Sequence, residues 1–225
     1  MTAPSGPRCL AAGLLAAALG LGPVRGARSA EPVDGAYGRL DGDLSLGLEA
    51  GMKEAFPGEQ LVGRLGCHYL HTLGAFAEYD EGFGRTAAPA ARSLTFGVEV
   101  RPLFLPRFAQ DLEQGPALLD LWLDSWALSL GVSTAALPEP ECSAPSSTSA
   151  SCWHTGLELG TGMELALLSQ AAGPFIALRG AFRWPTEPSA AAPQPFGRPT
   201  AALSLSLGYR LVLQAHLVDA GDRAR

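Results

Sequence analysis

Eleven charged residues stand at alternate positions in stretches whose other positions are apolar: Asp43, Glu49, Arg64, Glu78, Glu99, Arg101, Glu158, Glu164, Arg179, Arg183 and Arg210. Successive side chains of a strand point to opposite faces, so these charges share faces with Gly and Ser, away from the Leu-rich side. The chemistry open to them is mutual. Carboxylates and guanidinium groups on facing walls form bidentate pairs, and Arg suits such pairs better than Lys because its fork is planar. Buried without a partner, each would cost several kcal/mol. They are therefore expected to form an ion-pair network that fills a barrel interior.

Histidine is the second source of chemistry. His68 and His71 lie near the end of one strand, and His154 follows Trp153 at the start of another. A rim His beside Ser, Asp or Glu is the arrangement of a lipid-modifying or proteolytic barrel, and Glu139 and Glu141 are acids near His154, across the loop bracketed by Cys142 and Cys152. No Gly-x-Ser-x-Gly or His-Glu-x-x-His motif occurs. His68 and His71 do not share a strand face, which argues against a metal pair. Asp120, Trp122 and Asp124 alternate and offer a rim site for a cation or sugar. Their plainer reading is an interfacial Trp flanked by acids of the network. No catalytic residue, metal or cofactor is assigned.

The elements that must position these residues follow from the period of two. The clearest copies are LSLGLEAGM (Leu44–Met52), LTFGVEV (Leu94–Val100), LELGTGMELAL (Leu157–Leu167) and LSLSLGYRLVL (Leu203–Leu213). Eight strands are expected: 41–53, 60–70, 73–82, 92–104, 118–132, 153–168, 175–184 and 200–213. In the fifth, the apolar set changes phase between Leu119/Leu121/Leu123 and Trp126/Leu128/Leu130, which reads as a β-bulge near Asp124-Ser125. Merging the second and third strands would give seven and break parity. Connections 54–59, 83–91, 133–152 and 185–199 would be external. Connections 71–72, 105–117 and 169–174 would be periplasmic. Segment 105–117 opens with Pro106 and stops at Gly115-Pro116, so it reads as a short helix or 3₁₀ turn.

Composition bounds the class. The chain has 225 residues and a net charge of −6, with one Lys among its 16 basic residues. That is room for one barrel-sized domain, with no basic footprint for nucleic acid. The Arg bias fits GC-rich coding as well as the demands of desolvated ion pairs. Residues 1–26 read as a secretory signal peptide, with Arg8 before the apolar run Cys9–Gly22, too short to span a bilayer as a helix. Cleavage is expected after Gly26. Cys142 and Cys152 bracket SAPSSTSAS and are expected to form a loop disulfide after export. Residues 27–213 form the barrel and 214–225 a polar C-terminal tail.

Alternation alone does not say which face is inside. Three features favour apolar-out. The apolar face is long and dominated by Leu, as a lipid-facing band requires. The polar face mixes Gly and Ser with Glu and Arg, which suits the narrow interior of eight strands. Aromatic residues (Tyr69, Tyr79, Phe104, Trp153, Trp184 and Tyr209) sit near strand ends, as interfacial girdles do.

The leader, the Leu-alternating strands and the segment RPLFLPRFAQDLEQGPALLDLWLDS (Arg101–Ser125) resemble small outer-membrane β-barrel proteins of the myxobacterial type. The plan is similar to the eight-stranded OmpA/OmpX/OmpW-like barrels. The resemblance implies no catalytic residues. It also implies recognition by the barrel-assembly machinery, usually through a terminal aromatic residue. Here the chain ends in Arg225, and GYRLVL (Gly208–Leu213) would serve as an internal signal.

The expected protein is thus all-β: an eight-stranded antiparallel up-and-down transmembrane β-barrel with one short helical turn. It would be monomeric, in contact with outer-membrane lipid and not with nucleic acid, and structural, adhesive or small-ligand-binding without being an enzyme. An outer-membrane lipid-modifying enzyme and a soluble exported lipocalin-like barrel are the competing classes.

Overall fold

The computed structural model describes residues 37–55, 58–83, 92–113, 115–136, 153–186 and 199–215. The expected signal peptide, Glu139, Glu141 and the expected Cys142–Cys152 pairing lie outside the described residues.

Eight strands form in the places where the period of two is cleanest: β1 (Leu44–Ala55), β2 (Glu59–Tyr69), β3 (Leu73–Phe83), β4 (Arg92–Val100), β5 (Ala127–Ala136), β6 (Trp153–Ala166), β7 (Gly173–Pro185) and β8 (Thr200–Leu213). Each pairs antiparallel with the next in sequence. β1 also pairs with β8, from Leu44↔Leu213 to Ala55↔Ala202, so the sheet closes into a barrel without edges. Two helices, α1 (Phe104–Ala109) and α2 (Ala117–Asp124), interrupt the sequence between β4 and β5. β2 and β3 are separate strands joined at Tyr69↔Leu73. Their turn places Leu70 and His71 at positive φ (45° and 54°). That backbone usually takes Asn-Gly, and bulkier residues there are strained.

The barrel is inverted relative to a water-soluble one. Leu205 and Leu207 on β8, Phe96 on β4 and Leu130 on β5 all point outward, each more than half exposed. The inward positions are mostly charged, polar, glycine or alanine, with Val62, Phe76 and Phe175 as larger apolar side chains among them. A soluble lipocalin-like barrel would have these faces exchanged. Inward glycines make room for the large groups. A Cβ on Gly97 would come within 2.3 Å of the Leu130 carbonyl oxygen and 2.7 Å of the Phe76 ring.

The fifth strand departs from the sequence reading. Residues 117–124 are helix α2, and β5 starts at Ala127. The phase change marks a helix–strand boundary, not a bulge. ALLDLWLD satisfies a helical period as well as an alternating one. Leu is a strong helix former, and Pro116 sets the entry angle. Helix α1 falls where the helical turn was expected.

Candidate functional site: an ion-paired lumen and its cap

Strand register brings the charges together. Glu49 lies opposite Arg64, and Arg64 opposite Glu78, so three neighbouring strands present alternating signs in one row. Arg64 donates to Glu78 at 2.9 Å and to Glu99 at 2.6 Å, and its guanidinium lies 3.6 Å over the Phe76 ring. Arg179 reaches Glu49 at 2.6 Å, Glu164 at 2.7 Å and Glu99 at 3.1 Å. Below it, Arg101 joins Glu99 at 3.0 Å to Glu164 at 2.5 Å, and Arg210 pairs with Glu164 while lying over Phe175. Above it, Arg183 pairs with Glu158 at 2.5 Å. These are the charge-assisted, often bidentate contacts for which Arg is suited.

Two members of the lumen network were not on the sequence-based roster. Lys53 donates to Glu78 at 2.6 Å and to Asp80 at 3.1 Å, and Asp80 also accepts from Ser93 at 2.6 Å. Alternation was the available signal, since Lys53 shares a face with Glu49 and Asp80 with Glu78. With them the described lumen balances: Lys53, Arg64, Arg101, Arg179, Arg183 and Arg210 against Glu49, Glu78, Asp80, Glu99, Glu158 and Glu164. Asp43 lies just before β1, which begins at Leu44, and its carboxylate accepts from the Ala215 N–H at 2.6 Å.

Within the network lies a cavity of about 20 Å³ bordered by Lys53, Arg64, Glu99, Glu158 and Arg179. That is room for about one water molecule. The described lumen charges are buried and paired with one another.

A second cluster caps the mouth where β1 starts and β8 ends. Arg39 inserts between Glu113 and Asp124, at 2.6 Å from each, and stacks 4.2 Å over the fully buried Phe104 ring. Arg107 holds Asp120 at 2.6 Å and Asp124 at 2.7 Å. The Tyr37 hydroxyl donates to Asp120 at 3.1 Å. Ser125 fastens the cap to β6, donating to the Glu164 carbonyl oxygen at 2.9 Å and accepting from the Glu164 N–H at 2.8 Å. Asp120 and Asp124 lie four apart on one face of α2 and are consumed by arginines, so they do not form a rim site with Trp122. Phe104 belongs to the cap and not to an aromatic girdle. Burial and the neighbouring Asp124 carboxyl push Glu113 up to about 8, against the pull of Arg39.

The histidines divide. His68 Nε2 is 2.9 Å from Glu99 Oε1, deep in the lumen. Ser45 faces His68 across the β1–β2 ladder, but its buried hydroxyl has no hydrogen-bond partner among the described residues. Ser45, His68 and Glu99 are the residue types of a hydrolytic triad, with the His–Glu contact made and no Ser45–His68 hydrogen bond among the described residues. His71 is buried against Phe104, ring centroids 6.4 Å apart. His154 is half-buried near the other rim.

The class this fold defines is a closed eight-stranded antiparallel up-and-down barrel, apolar outside and ion-paired inside, the arrangement suited to a bilayer. Solved structures similar to it include the following two. The N-terminal β-barrel domain of Pseudomonas aeruginosa OprF is 13% identical with a TM-score of 0.47, over 74% of this chain and 97% of that one. The outer membrane enzyme PagL is 16% identical with a TM-score of 0.31, over 75% of this chain and 99% of that one. No family model and no curated protein matches the chain.

Proposed function

We propose that the chain is an outer-membrane barrel of the small eight-stranded plan, with a structural or adhesive role carried by its surface and not by its lumen. The observation that carries this is the inversion of the sheet: a Leu-rich exterior around an interior in which six basic and six acidic groups neutralise one another. Water would not tolerate that exterior as a continuous surface, because contiguous apolar patches of this extent mark lipid or partner contacts. A conducting pore would need a continuous polar channel.

In this reading the capped mouth is periplasmic, the chain works as a monomer, and the barrel-assembly machinery inserts it. Planar-bilayer recording of the refolded full chain tests the closed lumen. No current steps above the bare bilayer are expected. A stable, reproducible conductance would overturn the closed-lumen role.

A further inference from the structure

Segment 101–126 repeats the inversion of the barrel outside the strands. Its charged groups Arg107, Glu113, Asp120 and Asp124 turn toward Arg39 and are paired there. Its large exposed side chains, among the described residues, are apolar: Leu105, Phe108, Leu112, Leu118, Leu119 and Trp122. The exposed polar residues Gln110 and Asp111 fall at the bend after α1. A cap facing water would be built the other way, with its polar stripe outward.

The apolar face of α2 is also continuous with the exterior of the barrel. α2 packs along β6 and runs directly into β5. At that junction Trp126 donates its indole N–H to Thr161 on the outer face at 3.1 Å. The outward Leu128 and Leu130 of β5 and Leu165 of β6 continue the same surface. Apolar helices with an indole at the rim are the composition of an element lying in the plane of a membrane interface.

We propose that α1 and α2 form an in-plane anchor seated in the periplasmic leaflet of the same membrane, with lipid covering Leu105, Phe108, Leu112, Leu118, Leu119 and Trp122. The proposal rests on the membrane reading above and deepens it. The cap then does two jobs with its two faces. Its charged face closes the mouth, and its apolar face fixes the depth of the barrel at that rim.

The test uses the full chain refolded into phosphatidylethanolamine–phosphatidylglycerol vesicles. One variant keeps Trp122 as its sole indole, with Trp126→Phe, Trp153→Phe and Trp184→Phe. A companion keeps Trp184 and carries Trp122→Phe, Trp126→Phe and Trp153→Phe. Lipids brominated near the headgroup should quench Trp122, and aqueous iodide should quench it several-fold less than free tryptophan. Trp122 quenched by iodide but not by brominated lipid, with Trp184 quenched by lipid, would overturn the anchor and leave the barrel reading intact. Trp122 shielded from both agents would place a protein surface on this face, a second copy in a purified sample, and would also overturn it. If brominated lipid reached neither indole, the membrane reading itself would fall.

Discussion

Glu99 is where the described lumen concentrates its cost. Arg64, His68, Arg101 and Arg179 all contact its two oxygens. Removing one partner of a buried ionic set leaves the others uncompensated, a loss on the order of 3–5 kcal/mol. Glu99→Leu should therefore lower stability to urea by about that much while the barrel still folds, because the strand pattern is untouched. Unchanged stability would mean that the β4 charges do not face inward. Gly97 makes a related case in steric terms. A methyl group there meets backbone at 2.3 Å, which a flexible side chain cannot relieve. Gly97→Ala should lower the temperature of heat-induced mobility loss, and equal temperatures would argue against the close β4–β5 approach. At this scale much was legible. Alternation alone put Glu49, Arg64, Glu78, Glu158 and Arg179 on one face. It did not say which acid meets which base, because that depends on register, and register is set between strands far apart in sequence.

The cap is the element that alternation concealed. LLDLWLD reads as strand until Pro116 and the helical preference of Leu are weighed, and a short Leu-rich run fits both periods. Nor does anything local pair Arg39 with Glu113 and Asp124, which lie more than seventy residues away. Two results are expected of this element. Arg39→Ala should free segment 101–126, giving faster trypsin cleavage at Arg107 without loss of the barrel. Equal cleavage would show that Arg39 does not hold the cap. The second concerns pH. Glu113 is raised from 4.5 to about 8 in the fold, so between those values the folded state holds a proton that the unfolded segment has released. Stability from this group is fully present below about 4.5 and is lost as pH rises through about 8. Cleavage at Arg107 should accelerate, relative to a matched unfolded substrate, as pH rises from about 5 to about 9. Glu113→Gln should remove the cap's share of that rise. A wild-type dependence identical to that of Glu113→Gln would contradict a raised Glu113 pKa.

For the whole molecule, the balance between lumen and exterior decides the setting. Eight strands leave an interior that side chains can fill, and the described lumen fills it with six charges of each sign. Period, strand number and the choice of outward face could be read from the sequence, because Leu-rich positions with Gly, Ser, Glu and Arg between them suit lipid outside and ions inside. The start of β5 could not, because a short Leu-rich run fits both periods. A charge placed on the exterior tests the orientation. Leu205→Lys should destabilise a membrane-inserted barrel by about 2–4 kcal/mol if Leu205 lies near the bilayer midplane. In a soluble barrel with the same exposed position the change would be close to neutral.

The central claim is that this closed sheet is turned toward lipid. Outer-membrane fractionation followed by electrophoresis of boiled and unboiled samples tests it most directly. The account predicts recovery with the outer membrane and a mobility that changes on boiling, as a closed barrel opens. Recovery as a soluble periplasmic protein, with the same mobility before and after boiling, would contradict it.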